Sequence, residues 1–167
     1  MLTLLVVPHF LDIGTCQRLI ERIEHNRQPS TILYGDGDPD FRTSETCYLA
    51  ASEVSEVDRK IGELLGLSGG EPIQGQRYAV GQEFKPHTDT FEDDLQPQRT
   101  WTAMIYLNEV EGGETDFPLI GVSVRPQAGK LLAWDNLRDG KPNYSTLHHG
   151  TKVLRGTKYI LTKWYRG

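Results

Sequence analysis

From Gln74 onward the chain breaks into short runs rich in β-branched and aromatic residues, separated by Gly, Pro and Asn: Gln76–Val80, Phe84–Thr88, Thr100–Leu107, Val122–Val124, Lys130–Trp134, Ser145–His149 and Lys158–Tyr165. Runs of this length with turn residues between them read as strands. Many of them at close spacing point to a sandwich or barrel. The first half reads differently. Leu2 to Val7 is a first strand, and Cys16, Leu19, Ile20 and Ile23 then recur at helical spacing behind Asp12 as an N-cap. A second helix uses Val54, Val57, Ile61, Leu64 and Leu65, opening at Ser52 and closing at Gly66. The expected architecture is mainly β with flanking helices (α+β): one domain over 1–167, with a helical support at 10–66 and a barrel at 74–167. No repeat, low-complexity segment or linker divides it.

A chain of 167 residues can remove roughly 70% of its unfolded surface from water, enough for a real core. Its formal net charge of -5 and pI near 5.5 offer no general attraction to phosphate backbones or anionic lipids, so neither nucleic acid nor membrane is expected as a partner. Cys16 and Cys47 are too few for a disulfide framework and lack zinc-type spacing, so both are expected as reduced thiols. The run Leu2 to Val7 has no basic flank or cleavage site, and nothing approaches transmembrane length. The expected compartment is cytoplasmic.

His87 and Asp89 stand two apart. On a strand they would leave one face together and could close on one ion. Two imidazoles and a carboxylate are the ligand set of non-haem Fe(II) oxygenases, with open positions for substrates. His148, on a later strand, could supply the second imidazole. Alternation sends His148 and His149 to opposite faces, so only one of them can be a ligand. On the last strand Lys158, Ile160, Thr162 and Trp164 share a face. A lysine on an inward apolar face costs free energy unless it meets an anion, which a bound dicarboxylate would supply.

The segment RYAVGQEFKPHTD (Arg77 to Asp89) resembles the Y-x-x-G-x-x-(Y/F)-x-x-H-x-D signature of the prolyl 4-hydroxylase family of Fe(II)- and 2-oxoglutarate-dependent dioxygenases. The likeness continues through RTWTAMIYLNEVEGGETDFP, VRPQAGKLLAWDN and LHHGTKVLRGTKYILTKWYR, and more weakly through HFLDIGTCQRLI and FRTSETCYL. It implies a double-stranded β-helix (jelly-roll, cupin-like) barrel. It also implies that His87, Asp89 and His148 ligate Fe(II), that Lys158 and Tyr106 hold the distal carboxylate of 2-oxoglutarate, and that Tyr78 and Met104 line its pocket. The implied chemistry consumes 2-oxoglutarate and O2, releases succinate and CO2, and draws on ascorbate to rescue oxidised iron. Asp89 keeps the carboxylate that related halogenases replace, so hydroxylation is the implied reaction, on a prolyl residue of a peptide or protein.

The alternatives are a hydroxylase of a free amino acid or other small molecule, and a metal-binding barrel without oxygenase activity. A nucleic-acid demethylase is less favoured by the acidic charge and by lysine at position 158. Lys152 stands where many family members have proline.

Other residues carry milder expectations. Gly112 and Gly113 suggest a hairpin turn, Thr115 a backbone partner, and Arg99 an ion pair. Trp101 and Trp134 suggest core, Trp164 either core or a wall of the site. His9 and His25 are assigned no role. The polar segments Gly35 to Arg42 and Phe91 to Arg99 read as surface turns. A calcium loop at Asp36, Asp38 and Asp40 is excluded because Phe41 and Cys47 occupy the positions that need Gly and Glu.

Overall fold

The structure, a computed structural model, describes residues 2–30, 42–93 and 96–167. In chain order these form β1 (Leu4–Val7), α1 (Ile13–His25), β2 (Gln28–Pro29), β3 (Glu45–Tyr48), α2 (Ala51–Leu65), β4 (Gln74–Tyr78), β5 (Phe84–His87), β6 (Arg99–Tyr106), β7 (Glu111–Gly112), β8 (Thr115–Phe117), β9 (Val122–Val124), β10 (Leu131–Asp135), β11 (Leu137–Arg138), β12 (Lys141–Pro142), a 3-10 turn (Tyr144–Thr146), β13 (His148–Gly150), β14 (Val153–Arg155) and β15 (Lys158–Arg166). The acidic loop expected at 35–42 lies outside the described residues except for Arg42, as do Asp94 and Leu95 of the second loop.

The fold is mainly β, with two helices. Seven strands form one antiparallel sheet in the order β1-β10-β6-β15-β4-β3-β2, and four form a second, β5-β13-β8-β9. Two short ribbons, β11-β12 and β14-β7, complete the ladders. The described strands thus make separate sheets rather than a ring of continuous hydrogen bonding. Among the described residues, single bridges, Arg42 to Phe84 and Val80 to Val153, lie outside these ladders.

Alternation along the large sheet builds two cores. Tyr159, Leu161 and Tyr165 of β15, with Ala103 and Ile105 of β6, face the helices, where Leu19 and Ile23 of α1 and Val54, Val57 and Ile61 of α2 meet them. Ile160, Met104, Tyr106, Leu132 and Trp134 face the other way, onto Phe117 and Val124 of the smaller sheet. Fully burying a side chain of this kind contributes about 1.5–3 kcal/mol, so both layers stabilise the central strands β6 and β15.

The helices start where side-chain chemistry permits. Asp12 Oδ1 accepts the Thr15 backbone N–H at 2.7 Å, as an N-cap should. The expected Ser52 cap of α2 is not used. Ala50 is the N-cap, and its backbone N–H donates to the Glu53 carboxylate at 2.9 Å. Gly66 ends α2 in the left-handed region at φ 68°. Leu64, expected on the buried face, is exposed. The strand expected at Ser145–His149 starts only at His148, because Asn143 Oδ1 accepts the Ser145 N–H and turns the chain into the 3-10 segment first. Cys16 and Cys47 are buried free thiols.

Candidate active site

β5 and β13 are antiparallel neighbours in the small sheet, and their register sets His87 directly opposite His148. The strand β5 ends at His87, and the bend that follows, rather than strand alternation, returns Asp89 to the two rings. Asp89 Oδ1 lies 3.4 Å from His87 Nε2 and 3.5 Å from His148 Nε2. Two bonds of about 2 Å to one ion can span about 4 Å, so these separations suit a shared metal. One ligand atom from each of the three residues lies within 4.8 Å of the others.

The remaining donors are already committed. His87 Nδ1 meets the Lys85 carbonyl at 2.7 Å and His148 Nδ1 meets the Thr146 carbonyl at 2.8 Å. A carbonyl can only accept, so each Nδ1 carries the proton and each Nε2 offers a lone pair to the cluster. Phe84 stacks on the His87 ring at 3.6 Å between centroids, and Trp134 meets His148 edge-on at 4.8 Å. Asp89 Oδ2 accepts from Thr102 Oγ1 at 2.7 Å and from Trp164 Nε1 at 3.1 Å. The chemistry of this donor set fits a divalent transition metal.

Electrostatics agree with that fit. Burial works against charge on Asp89, yet His148 and His87 beside it, with Arg99, hold its carboxyl well below the usual carboxylate range. Burial pushes His148 down to about 4, against the pull of Asp89, so the ring is neutral near pH 7, the form that ligates metals.

Lys158 lies on the inward face of β15 and is 2% exposed. Its Nζ donates to the Gly113 carbonyl at 3.1 Å and sits 4.3 Å from the centre of the Tyr78 ring. Neither partner carries a full negative charge, and burial pushes the ammonium down to about 8 while Glu114 opposes the shift. Tyr106, fully buried, donates its hydroxyl to the Val124 carbonyl at 3.1 Å and therefore accepts from Thr115 Oγ1 at 2.6 Å. Burial raises its phenol above the ordinary range. Met104 shares the inner core with Tyr78 and Tyr106. A buried cation with two hydroxyls in the same core, on the side of the sheet that carries the His–Asp cluster, has the chemistry to receive an anion.

All seven residues singled out from the sequence thus come to the space between the two sheets. His149 does not, pointing instead to Glu83 at 3.7 Å, which Lys152 also approaches at 3.5 Å. Gly112 and Gly113 do not form a free hairpin turn: Gly112 pairs with Val153 in the β14-β7 ribbon, and Gly113 presents its carbonyl to Lys158. A Cβ on Gly113 would stand 3.0 Å from Lys158 Cδ, at a φ of +66°. Thr115 does more than satisfy backbone, since it bonds Tyr106. Trp101 packs against the outer core, Trp134 lies in the inner one, and Trp164 turns inward to Asp89. Thr102 and Asn136 were not anticipated. Thr102 shares the face of Met104 and Tyr106 by simple alternation, which is the signal that could have found it.

Residues 73–166 match the family described as the 2OG-Fe(II) oxygenase superfamily. The probable prolyl 4-hydroxylase 10 of Arabidopsis thaliana is 31% identical over 96% of this chain and 68% of its own length. The prolyl 4-hydroxylase subunit alpha-1 of Gallus gallus is 32% identical over 95% of this chain but only 35% of its own. Among solved structures, the viral collagen prolyl hydroxylase of Paramecium Bursaria Chlorella virus-1, in complex with 2OG, superposes with a TM-score of 0.81 at 27% identity, covering 96% of this chain and 94% of that one. The chain belongs to the 2OG-Fe(II) oxygenase superfamily, a family of 2-oxoglutarate-dependent dioxygenases, and is prolyl 4-hydroxylase-like. Among the described residues no helix is long and apolar enough to cross a membrane.

Proposed function

We propose that this chain forms a prolyl hydroxylase domain, built on a jelly-roll double-stranded β-helix, that uses Fe(II), 2-oxoglutarate and O2 to oxidise a prolyl residue in a peptide or protein. The observation that carries the reading is the pairing, between the same two sheets, of a His87–Asp89–His148 ligand cluster with a buried Lys158 that, among the described residues, forms no ion pair. A structural metal site would need the first feature and not the second. The names of the relatives, a probable prolyl 4-hydroxylase and a viral collagen prolyl hydroxylase, support the choice of proline.

Bound Fe(II) would supply the redox chemistry that joins one atom of O2 to a C–H carbon while the other enters succinate as 2-oxoglutarate loses CO2. The chain's own residues do the rest. His87 and His148 present neutral Nε2 atoms because their Nδ1–H groups are held by Lys85 and Thr146 carbonyls. Asp89 contributes the charge. Lys158 receives the far carboxylate of 2-oxoglutarate, with the Tyr106 and Thr115 hydroxyls beside it and Tyr78 and Met104 shaping the walls. Phe84, Phe117 and Trp134 against the imidazoles exclude water from the reacting centre. Ascorbate is proposed as the reductant for iron oxidised in unproductive turnover. The two buried free thiols suit a reducing, cytoplasmic setting.

The test is succinate release by the purified protein with Fe(II), 2-oxoglutarate, ascorbate and O2, with and without proline-rich peptides, followed by mass spectrometry of the peptide. The reading expects peptide-stimulated succinate and one added oxygen on proline, both lost in His148→Ala. Succinate with every proline peptide unchanged would move the substrate to a free amino acid or another small molecule.

A further inference from the structure

Asp89 has two carboxylate oxygens in unequal surroundings. Oδ1 faces both histidines, whereas Oδ2 is turned into the protein, where Thr102 Oγ1 donates at 2.7 Å and Trp164 Nε1 at 3.1 Å. The direction of the first bond is fixed one residue further out. Asn136 Nδ2 donates to Thr102 Oγ1 at 2.9 Å, and since an amide N–H2 has no lone pair to offer, the threonine hydroxyl must spend its own proton on Asp89. Asn136 is itself anchored through its backbone. It is fully buried, its backbone N–H donates to the Thr100 carbonyl at 2.8 Å, and its carbonyl accepts from Asn143 N at 2.9 Å.

The indole arm is braced as well. The Arg99 guanidinium lies 3.9 Å from the centre of the Trp164 ring and is clamped by Glu71 through bonds of 2.7 and 2.9 Å. Glu71 in turn donates its backbone N–H to the Trp164 carbonyl at 2.8 Å.

From this geometry we propose that Thr102, oriented by Asn136, together with Trp164, are positioning residues that hold Asp89 to a single metal-facing oxygen. Resting on the metal-centre reading above, the inference adds how the number of open coordination positions is kept. For Asp89 to grip an ion with both oxygens, Oδ2 would have to leave a buried hydroxyl and a buried indole N–H without an acceptor. Each buried donor left unpaired in this way opposes the two-oxygen grip. The carboxylate therefore gives one ligand atom, and with two imidazoles it fills three positions, leaving the others to 2-oxoglutarate and O2.

The experiment is Co(II) titration of the metal-free protein, followed by visible absorption, whose band intensity reports coordination number. Thr102→Val keeps the shape and removes the hydroxyl; Thr102→Ser keeps the hydroxyl. The expected result is a 10- to 100-fold loss of Co(II) affinity in Thr102→Val, the usual size for an outer-shell partner, with altered band intensity. Thr102→Ser should restore both, and Asn136→Leu should show an intermediate loss. Wild-type affinity and spectrum in a folded Thr102→Val protein would overturn the proposal. If Thr102→Val does not fold, Thr102→Ala against Thr102→Ser makes the same comparison. His148→Ala separates the two levels of the argument. If it leaves Co(II) binding unchanged, the metal centre lies elsewhere and this proposal falls with that reading. If it abolishes binding while the Thr102 variants behave as wild type, only the positioning role fails.

Discussion

Lys158 is the residue on which the proposed cosubstrate side of the site depends. Its free-protein value of about 8 means that below that pH the cation is already present and waiting, whereas above it binding of a carboxylate must first take up a proton. The affinity for 2-oxoglutarate, measured by calorimetry under anaerobic conditions, should be flat with pH up to about 8 and then weaken about tenfold per unit. Affinity constant up to pH 10 would show that Lys158 is not the anchor. Lys158→Ala should lose about 2–5 kcal/mol of binding, roughly thirtyfold or more, as for other buried charge pairs truncated on one side. Tyr106→Phe deprives Thr115 and Val124 of a partner each. It should lower stability by about 1–3 kcal/mol, seen as a shift of the denaturant midpoint, and weaken 2-oxoglutarate binding as well. Single residues of this kind were legible to different degrees. His87, Asp89 and His148 stand out because charged and imidazole groups within strand patterns have few structural uses. Thr102 looks like an ordinary member of a β run and Asn136 like a residue that merely follows one, and only their partners in space reveal a direction of hydrogen bonding.

At the scale of elements, β15 is the best-read part of the chain. Its apolar alternation predicts the two faces that the structure shows, one towards the helices and one towards the site. Helix α1 was equally plain from its periodicity and the Asp12 cap. Elements defined by pairing rather than by their own composition were harder. β3 has no apolar run and exists because it pairs with β4, Thr46 opposite Gln76 and Cys47 opposite Gly75. β13 is short because the Asn143 side chain imposes a turn before it. The contact of α1 with the large sheet is tight at Gly75, where a Cβ would stand 2.5 Å from Ile23 Cγ1. Gly75→Ala should therefore cost about 1–3 kcal/mol through overpacking, measured by chemical denaturation. Because α1 packs on the outer face, Co(II) affinity in the folded variant should not change. A large loss of affinity with no loss of stability would contradict the two-core description.

For the whole molecule, the mainly β class with two helices followed from the sequence, but the sequence runs mark eight strands where the described residues form fifteen, and the strand order β1-β10-β6-β15-β4-β3-β2 was not legible either. Neighbours in that order are set by long-range ladders that leave no local trace. The ladder between β5 and β13 is the decisive one, since it brings His148 opposite His87. A molecule whose ligand cluster and proposed anion receptor both lie between its two larger sheets should be held together by what it binds. Adding Mn(II) at one hundred times its dissociation constant should stabilise the fold by about 2.7 kcal/mol, with a further rise in melting temperature on adding 2-oxoglutarate and reversal by chelator. No rise on adding metal would contradict the site's position between the sheets. The most direct measurement is a crystal structure of the protein grown anaerobically with Mn(II) and 2-oxoglutarate. The account predicts the ion bound by His87 Nε2, His148 Nε2 and one oxygen of Asp89, with the far carboxylate of 2-oxoglutarate on Lys158 Nζ. An ion held by other residues, or a cosubstrate whose far end does not reach Lys158, would contradict it.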